Sequence, residues 1–495
     1  MKTKKLLLKT FSLLAFLIML MPSYAQVGIG TLTPDSSAML DVQSTTQGFL
    51  APRMTTLERD AIATPAEGLL VFDTDEKAFY FYSTATTAWI KLANDVSVKR
   101  NNYKLIKSET DLSDELAVGG GSSYKLTSNT YYEVNGTITL AVPIDLNNAY
   151  IAGLDANEDI LSLPGGIVFK GSTGGSIRNV TLKGAKAFEI TGPGIATTSS
   201  LLVQNTVIDG MTNVGSIDGL GIFFGNIVQY INNANGITYS NIGNLLLNNQ
   251  AWFGNNSGTF EKFTGTFSLI EKVSGFSTVS GSAVALDVST TGLTVGTGVL
   301  DATVFTGVTT APSGYIKGYA TGSYPGYKFS NAWTVNCSGI NIESDVVASA
   351  NIYYNGAITT GFVQTVSDSP FNLTGNGSSN TTTAVNLLRT SSPQDNRLTY
   401  LGKKTRTFQV NAALSVRGNG TIGEYYAFFI RKNGTTSLIE TNTIMRVNNT
   451  SDITSNAISG TVELAPNDYI EIWGQRLVGS GTDTITVFSL NLNIR

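Results

Sequence analysis

The chain has 495 residues, of which 42% are hydrophobic and only 14% charged, with a net charge of −4. Average soluble proteins carry about 25% charged residues; here Gly, Ser, Thr and Asn take that share, a composition of strands and turns rather than helices. The lack of a basic surplus excludes a nucleic-acid footprint, and the absence of histidine excludes Ser-His-Asp triads, Cys-His dyads and His-held zinc or haem.

Residues 1–25 read as a secretory leader. Lys2, Lys4, Lys5 and Lys9 form its positive start, an apolar run spans Phe11 to Met21, and Pro22 precedes the small-x-small site Ser23-Tyr24-Ala25. Cleavage after Ala25 is expected to leave Gln26 first on an exported chain, secreted or held at the cell surface. No later segment approaches a ~20-residue apolar run, so no membrane-spanning helix is expected. The lone Cys337, in "WTVNCSG", cannot make an intramolecular disulfide and reads as a buried strand residue. Stability must therefore come from β stacking or from burial between subunits. "VGIGTLTP" opens on Gly28-x-Gly30, but no strand precedes it and Thr33-Pro34 follows, which rules out a dinucleotide fingerprint.

Residues 26–95 read as a small β module. "RMTTLERDAI" predicts a short helix with a Thr N-cap and an acidic first turn. Strands are expected at Leu69 to Phe72, Phe79 to Tyr82, and around Trp89 and Ile90, with a polar turn at Asp73 to Lys77. The run Phe79-Tyr80-Phe81-Tyr82 puts aromatic rings on both faces of a strand, so both faces need cover, as between subunits. The set "VGIGTLTPDSSAMLDV", "GFLAPRMTTLERDAI" and "GLLVFDTDEKAFYFY…AWIKL" resembles the N-terminal module of exported and phage tail-fibre-like proteins of Bacteroidetes-type bacteria. The resemblance implies an architectural adaptor before a receptor-binding region, assembled as a homotrimer, and carries no catalytic residue.

Residues 96–345 read as a capped parallel β-helix, with ordinary antiparallel hairpins as the alternative. The acidic "SETDLSDEL" predicts a capping helix. The short strands "YKLTSNTYYEV", "GTITLAVPIDL" and "AYIAGLD" resemble the start of pectate-lyase-like and tailspike-like right-handed β-helices. Degenerate rungs follow at Ser176–Gly184, Leu202–Gly210, Ile237–Asn249 and Trp333–Ser344, unevenly spaced. Asn179, Asn205, Asn241 and Asn336 are expected at left-handed bends, and Phe260, Phe263 and Phe267 in an aromatic core stack.

Residues 346–495 alternate as an antiparallel sandwich. Phe408, Val410, Ala412, Leu414 and Val416 share one strand face, Asn433-Gly434 marks a hairpin turn, and Phe488, Leu490, Leu492 and Ile494 share another face. Eight to ten strands fit a jelly roll, and "VELAPNDYIEIW" resembles the matching strands of complement-C1q/TNF-like jelly rolls. The expected fold class is thus all-β: a right-handed parallel β-helix with a small N-terminal β module and a C-terminal jelly-roll sandwich.

Chemistry is thinly signalled, and neither cofactor nor metal is expected. Asp155-x-Asn157-x-Asp159 opens like a calcium loop, but Ile160 and Gly166 stand where the pattern needs Gly and Glu. Glu189, Asp209, Asp218, Glu261, Glu271, Asp287 and Asp301 form no recognisable catalytic pair, and Arg178 and Lys183 lack an accompanying acidic calcium cluster. The best glycan-binding candidate is the run holding Asn248, Asn249, Gln250, Trp252, Asn255 and Asn256, an aromatic ring among amide fingers; Trp252 in the core is the alternative. The expected function is attachment to a polysaccharide or cell-surface glycan without catalysis, the alternatives being a polysaccharide depolymerase and a purely structural appendage.

Overall fold

The computed structural model describes residue 4 and residues 6–12, 26–92, 101–377 and 382–495. The proposed cleavage site at Ser23-Tyr24-Ala25 lies outside the described residues. The chain divides into two compact units, Met1–Asn101 and Asn102–Arg495.

In the first unit, Val27–Ile29 pairs in parallel with Leu40–Val42. A four-stranded sheet runs in the order Arg53–Met54, Leu70–Asp73, Ala78–Ser83, Ala88–Lys91. The helix Thr56–Asp60 starts as expected, with Thr55 and Glu58 closing a reciprocal capping box. The interior of this sheet is polar. Asp73, fully buried, accepts from Arg59 at 2.8 Å, from the Thr56 hydroxyl at 2.8 Å and from the backbone of Asp75 and Glu76 at 2.9 Å. Arg59 also lies 4.1 Å from the Tyr80 ring centroid. Among the described residues of this unit, Ala51 and Val71 are the only buried hydrophobic side chains.

The second unit begins with a parallel β-solenoid of about eight turns. Ser200 pairs with Ile222 and Ile222 with Asn244, a repeat of 22 residues. Gly298 pairs with Trp333, a repeat of 35. Loop insertions at the C-terminal end stretch the period, which is why the repeat is uneven in sequence. The acidic segment forms the short helices Glu109–Leu112 and Ser113–Val118, and Leu112 closes the first turn of the core.

Parallel register turns the inward positions into columns. One runs Ile138, Leu161, Leu182, Ile208, Tyr230, Trp252, Ser277, Phe305, all buried. Each large side chain so stacked contributes about 1.5–3 kcal/mol. Phe260, Phe263 and Phe267 are buried in this core, as expected.

Corners also align. Asn179, Asn205, Ile227, Asn249, Ser274 and Ala302 occupy equivalent places on successive turns, and every one has positive φ, from 48° to 59°. The solenoid bends there through the left-handed region, which Asn tolerates and β-branched residues resist. Asn241 bends a second corner, flanked on adjacent turns by Gly219 and Gly265, both with positive φ. Asn336 departs from expectation. It sits mid-strand in Trp333–Ser338 and donates to the Asp301 carboxylate at 3.1 Å.

Beyond the solenoid, two antiparallel sheets share one hydrophobic cluster. The first has the order Thr383–Leu388, Ser349–Asn355, Thr484–Ile494, Arg406–Gly418, Thr454–Leu464; the second has Thr390–Ser391, Arg397–Tyr400, Tyr469–Val478, Tyr425–Lys432, Thr436–Arg446. Asn433 and Gly434 are both left-handed at the hairpin turn. The expected face of the last strand is interrupted: a bulge between Ser415 and Val416 turns Val487 inward and leaves Phe488 outside the cluster, 5.1 Å from the Arg417 guanidinium.

Arg389 joins these sheets to the solenoid. It is buried, donates to the carbonyls of Asn331, Trp333 and Glu343, and pairs with Asp345 at 3.0 Å. Asn331 and Lys403 add reciprocal bonds across the same joint, to the carbonyls of Leu401 and Ala332.

Candidate functional site

The Asn-rich run from 248 to 256 is split between surface and core. Asn249 is exposed at the left-handed corner, and Asn255 is exposed in the turn after the strand that ends at Trp252. Gln250 is buried, its amide donating to the Asn248 carbonyl at 2.9 Å and accepting from the Tyr230 hydroxyl at 3.2 Å. Trp252 is fully buried, stacked on Phe260 with ring centroids 4.5 Å apart. A ring in that column has no face free for a sugar, so the structure separates Trp252 and Gln250 from the surface amides. Asn256 is buried too, donating to the carbonyls of Tyr230 and Phe253. Strand alternation decides this: Trp252 shares its column with Tyr230 and Ser277.

Instead, the surface carries a polar ladder. Asn255 donates to Asn232 at 2.8 Å, Asn232 to Asp209 at 2.9 Å, and Lys183 pairs with Asp209 at 3.1 Å. Most solenoid carboxylates are similarly engaged. Glu189 lies between Lys170 and Lys186, at 2.8 and 3.1 Å, which hold it below the ordinary carboxylate range. Asp218 accepts from Asn241, Asp287 from Ser289, and Asp301 from Asn336. Burial pushes Asp209 up, but Asn232 and Lys183 outweigh it and leave the group lowered. Glu261, raised by burial, is sealed in the core against Lys272. Asp155 and Asp159 spend their oxygens on their own turn, on the backbone of Asn157, Leu154 and Asp155 and on that of Gly136. Among the described residues no group of three or more His, Cys, Asp or Glu side chains could hold a metal ion.

A cavity of about 400 Å³ lies near the solenoid's C-terminal end. One wall is the turn after Asp287, with Ser289, Thr290, Thr291 and Thr294; the other is the inserted loop, with Tyr319, Thr321 and Ser330. No charged side chain lines it. The sequence offered no cue to this site, since its walls lie in adjacent turns joined only by folding.

The first unit presents a different surface. Val27, Ile29, Leu40 and Val42 share one face of their two-stranded sheet, and all four are exposed, so that apolar face is uncovered. Leu32, Met39, Phe49, Leu50 and Leu57 are exposed as well, and Phe79 is 40% exposed. So small a sheet is not stable alone in water. No helix among the described residues is long and apolar enough to cross a membrane.

Comparison with curated proteins finds no match. Residues 28–108 match the model of a phage tail like trimerisation region. A trimerisation region joined to a parallel β-solenoid fits a structural protein of the tail-fibre or spike type.

Proposed function

We propose that the chain is one subunit of an exported homotrimeric fibre or spike that attaches to glycan-bearing surfaces without cleaving them. The observation carrying the assembly is the inventory of the first unit's described residues: two buried hydrophobic residues against a large exposed apolar set, within a segment that matches a trimerisation region. Apolar surface of that extent is stabilised by burial against further copies. In this reading residues 26–95 hold the trimer, 96–345 form the solenoid and 346–495 the C-terminal sandwich. The C-terminal sandwich is a jelly roll, supported by the order of its two five-strand paths, in which strands distant in sequence alternate between the sheets. Export is supported by the composition of residues 1–25.

Attachment is favoured over hydrolysis by the state of the carboxylates. A glycosidase needs one carboxylic acid held protonated and open to the substrate beside a second carboxylate. Glu189 is lowered by Lys170 and Lys186 and Asp209 by Asn232 and Lys183, while the raised Glu261, Glu343 and Glu424 are all buried. The test is to incubate residues 26–495 with a polysaccharide panel plus calcium. Retention, released reducing ends and unsaturated-uronate absorbance are measured together, alongside sedimentation. A retained trimer without product is expected. Released product would make the chain a depolymerase, and a stable monomer would remove the fibre reading.

A further inference from the structure

We infer that the cavity between residues 289–295 and 319–330 is a subsite for a short neutral saccharide, which rests on the glycan-attachment reading. Its volume, about 400 Å³, falls in the lower part of the range of small-ligand clefts. Its chemistry is hydroxyl-rich and uncharged. Thr290, Thr291 and Thr294 face the loop's Thr321 and Ser330, while Leu293 and Val295 add apolar surface and Tyr319 an aromatic ring. Sugars present that same mixture of hydroxyls and C–H faces. A uronate or sulfated unit desolvated there would find no cationic side chain to compensate its charge. The Thr290 hydroxyl is shielded from solvent and has no partner within the protein.

Both walls are held in place before any ligand arrives. The inner turn closes through the Leu293 N–H on the Thr290 carbonyl at 3.1 Å, with Gly292 at φ +82°. Tyr319 accepts from the Trp333 indole at 2.9 Å, and its N–H donates to the Lys328 carbonyl at 2.8 Å. The buried Glu343 carboxylate accepts from the backbone of Lys328 and Phe329, at 2.7 and 2.9 Å, fixing the loop's return. Preorganised walls lower the ordering cost of binding.

The test uses the full chain with short neutral gluco-, galacto- and manno-oligosaccharides, and with oligogalacturonate as the anionic counterpart. Saturation-transfer NMR and calorimetry read the binding. Thr321→Trp and Thr294→Trp, both at exposed positions, would fill the mouth, and Asn255→Ala serves as a distant control. The expected result is binding of a neutral probe, weakened roughly tenfold or more by either Trp variant and unchanged by Asn255→Ala, with melting temperatures unaltered. Binding that both Trp variants leave intact would overturn the cavity assignment and leave attachment standing. A preference for oligogalacturonate would also overturn it. If neither these probes nor any polysaccharide of the panel is retained, both readings fall together.

Discussion

Lys272 and Glu261 form an ion pair at 3.0 Å inside the solenoid, with side chains 1% and 0% exposed. Each replaces an apolar residue in an inward column. Lys272 lies between Leu247 and Leu300, and Glu261 between Ile237 and Leu286. The ammonium also lies 5.1 Å from the Phe260 ring centroid. Removing one partner leaves the other charge buried and unpaired, at a cost of roughly 3–5 kcal/mol, whereas replacing both with apolar side chains is often neutral or stabilising. Lys272→Met or Glu261→Leu alone is therefore expected to destabilise strongly, and the double variant to recover most or all of the loss. Chemical denaturation of the four proteins checks this; a double variant as unstable as the worse single one would contradict it.

Ile227 is the misfit of the left-handed corner. Its φ of 55° is one that a β-branched side chain resists, while Asn179, Asn205 and Asn249 fill equivalent corners. Ile227→Asn should raise stability by roughly 1 kcal/mol and Asn205→Val should lower it by roughly 1–2 kcal/mol. Denaturation midpoints of the two variants moving in the same direction would refute the corner argument.

Trp252→Ala should act through packing. The cavity left between Tyr230, Phe260 and Ser277 is expected to cost about 3–5 kcal/mol. Glycan retention by the fraction that remains folded should not change. A selective loss of retention at unchanged melting temperature would return Trp252 to the binding site.

Asp159 links the early solenoid to pH. Burial pushes its carboxyl up, but the N–H groups of Gly136, Asp155 and Leu154 outweigh that and hold it below its ordinary 3.8. A depressed acid contributes stability that is present above the unfolded value and lost as pH falls through the folded one. Wild-type melting temperature should drop below about pH 3.8 more steeply than that of Asp159→Asn, which should be less stable at neutral pH. Parallel profiles of the two proteins would rule out this contribution.

The paired strands Val27–Ile29 and Leu40–Val42 should lie in the subunit interface. Val27→Glu with Leu40→Glu would place carboxylates where apolar contact is needed. Sedimentation is expected to shift from trimer toward monomer, with the far-ultraviolet signal of the solenoid retained. A variant trimer as tight as wild type would place the interface elsewhere.

The sequence by itself determined the all-β class, the cap at 109–118, the Thr55 helix start and the left-handed bends at Asn179, Asn205 and Asn241. These are local matters of propensity and backbone sterics, written within a few residues. It also marked the strand Phe79 to Tyr82 as needing cover on both faces. Other features depend on register, which sets residues 19 to 35 positions apart side by side. Only the tertiary structure assigned Trp252 to a column and Asn255 to a ladder, although the two stand three positions apart in "WFGN". Only register made Asn336 a strand residue facing Asp301, turned Val487 inward in place of Phe488, and joined Lys272 to Glu261. The hydroxyl-lined cavity is of the same kind, because its walls are brought together by the stacking of one solenoid turn on the next.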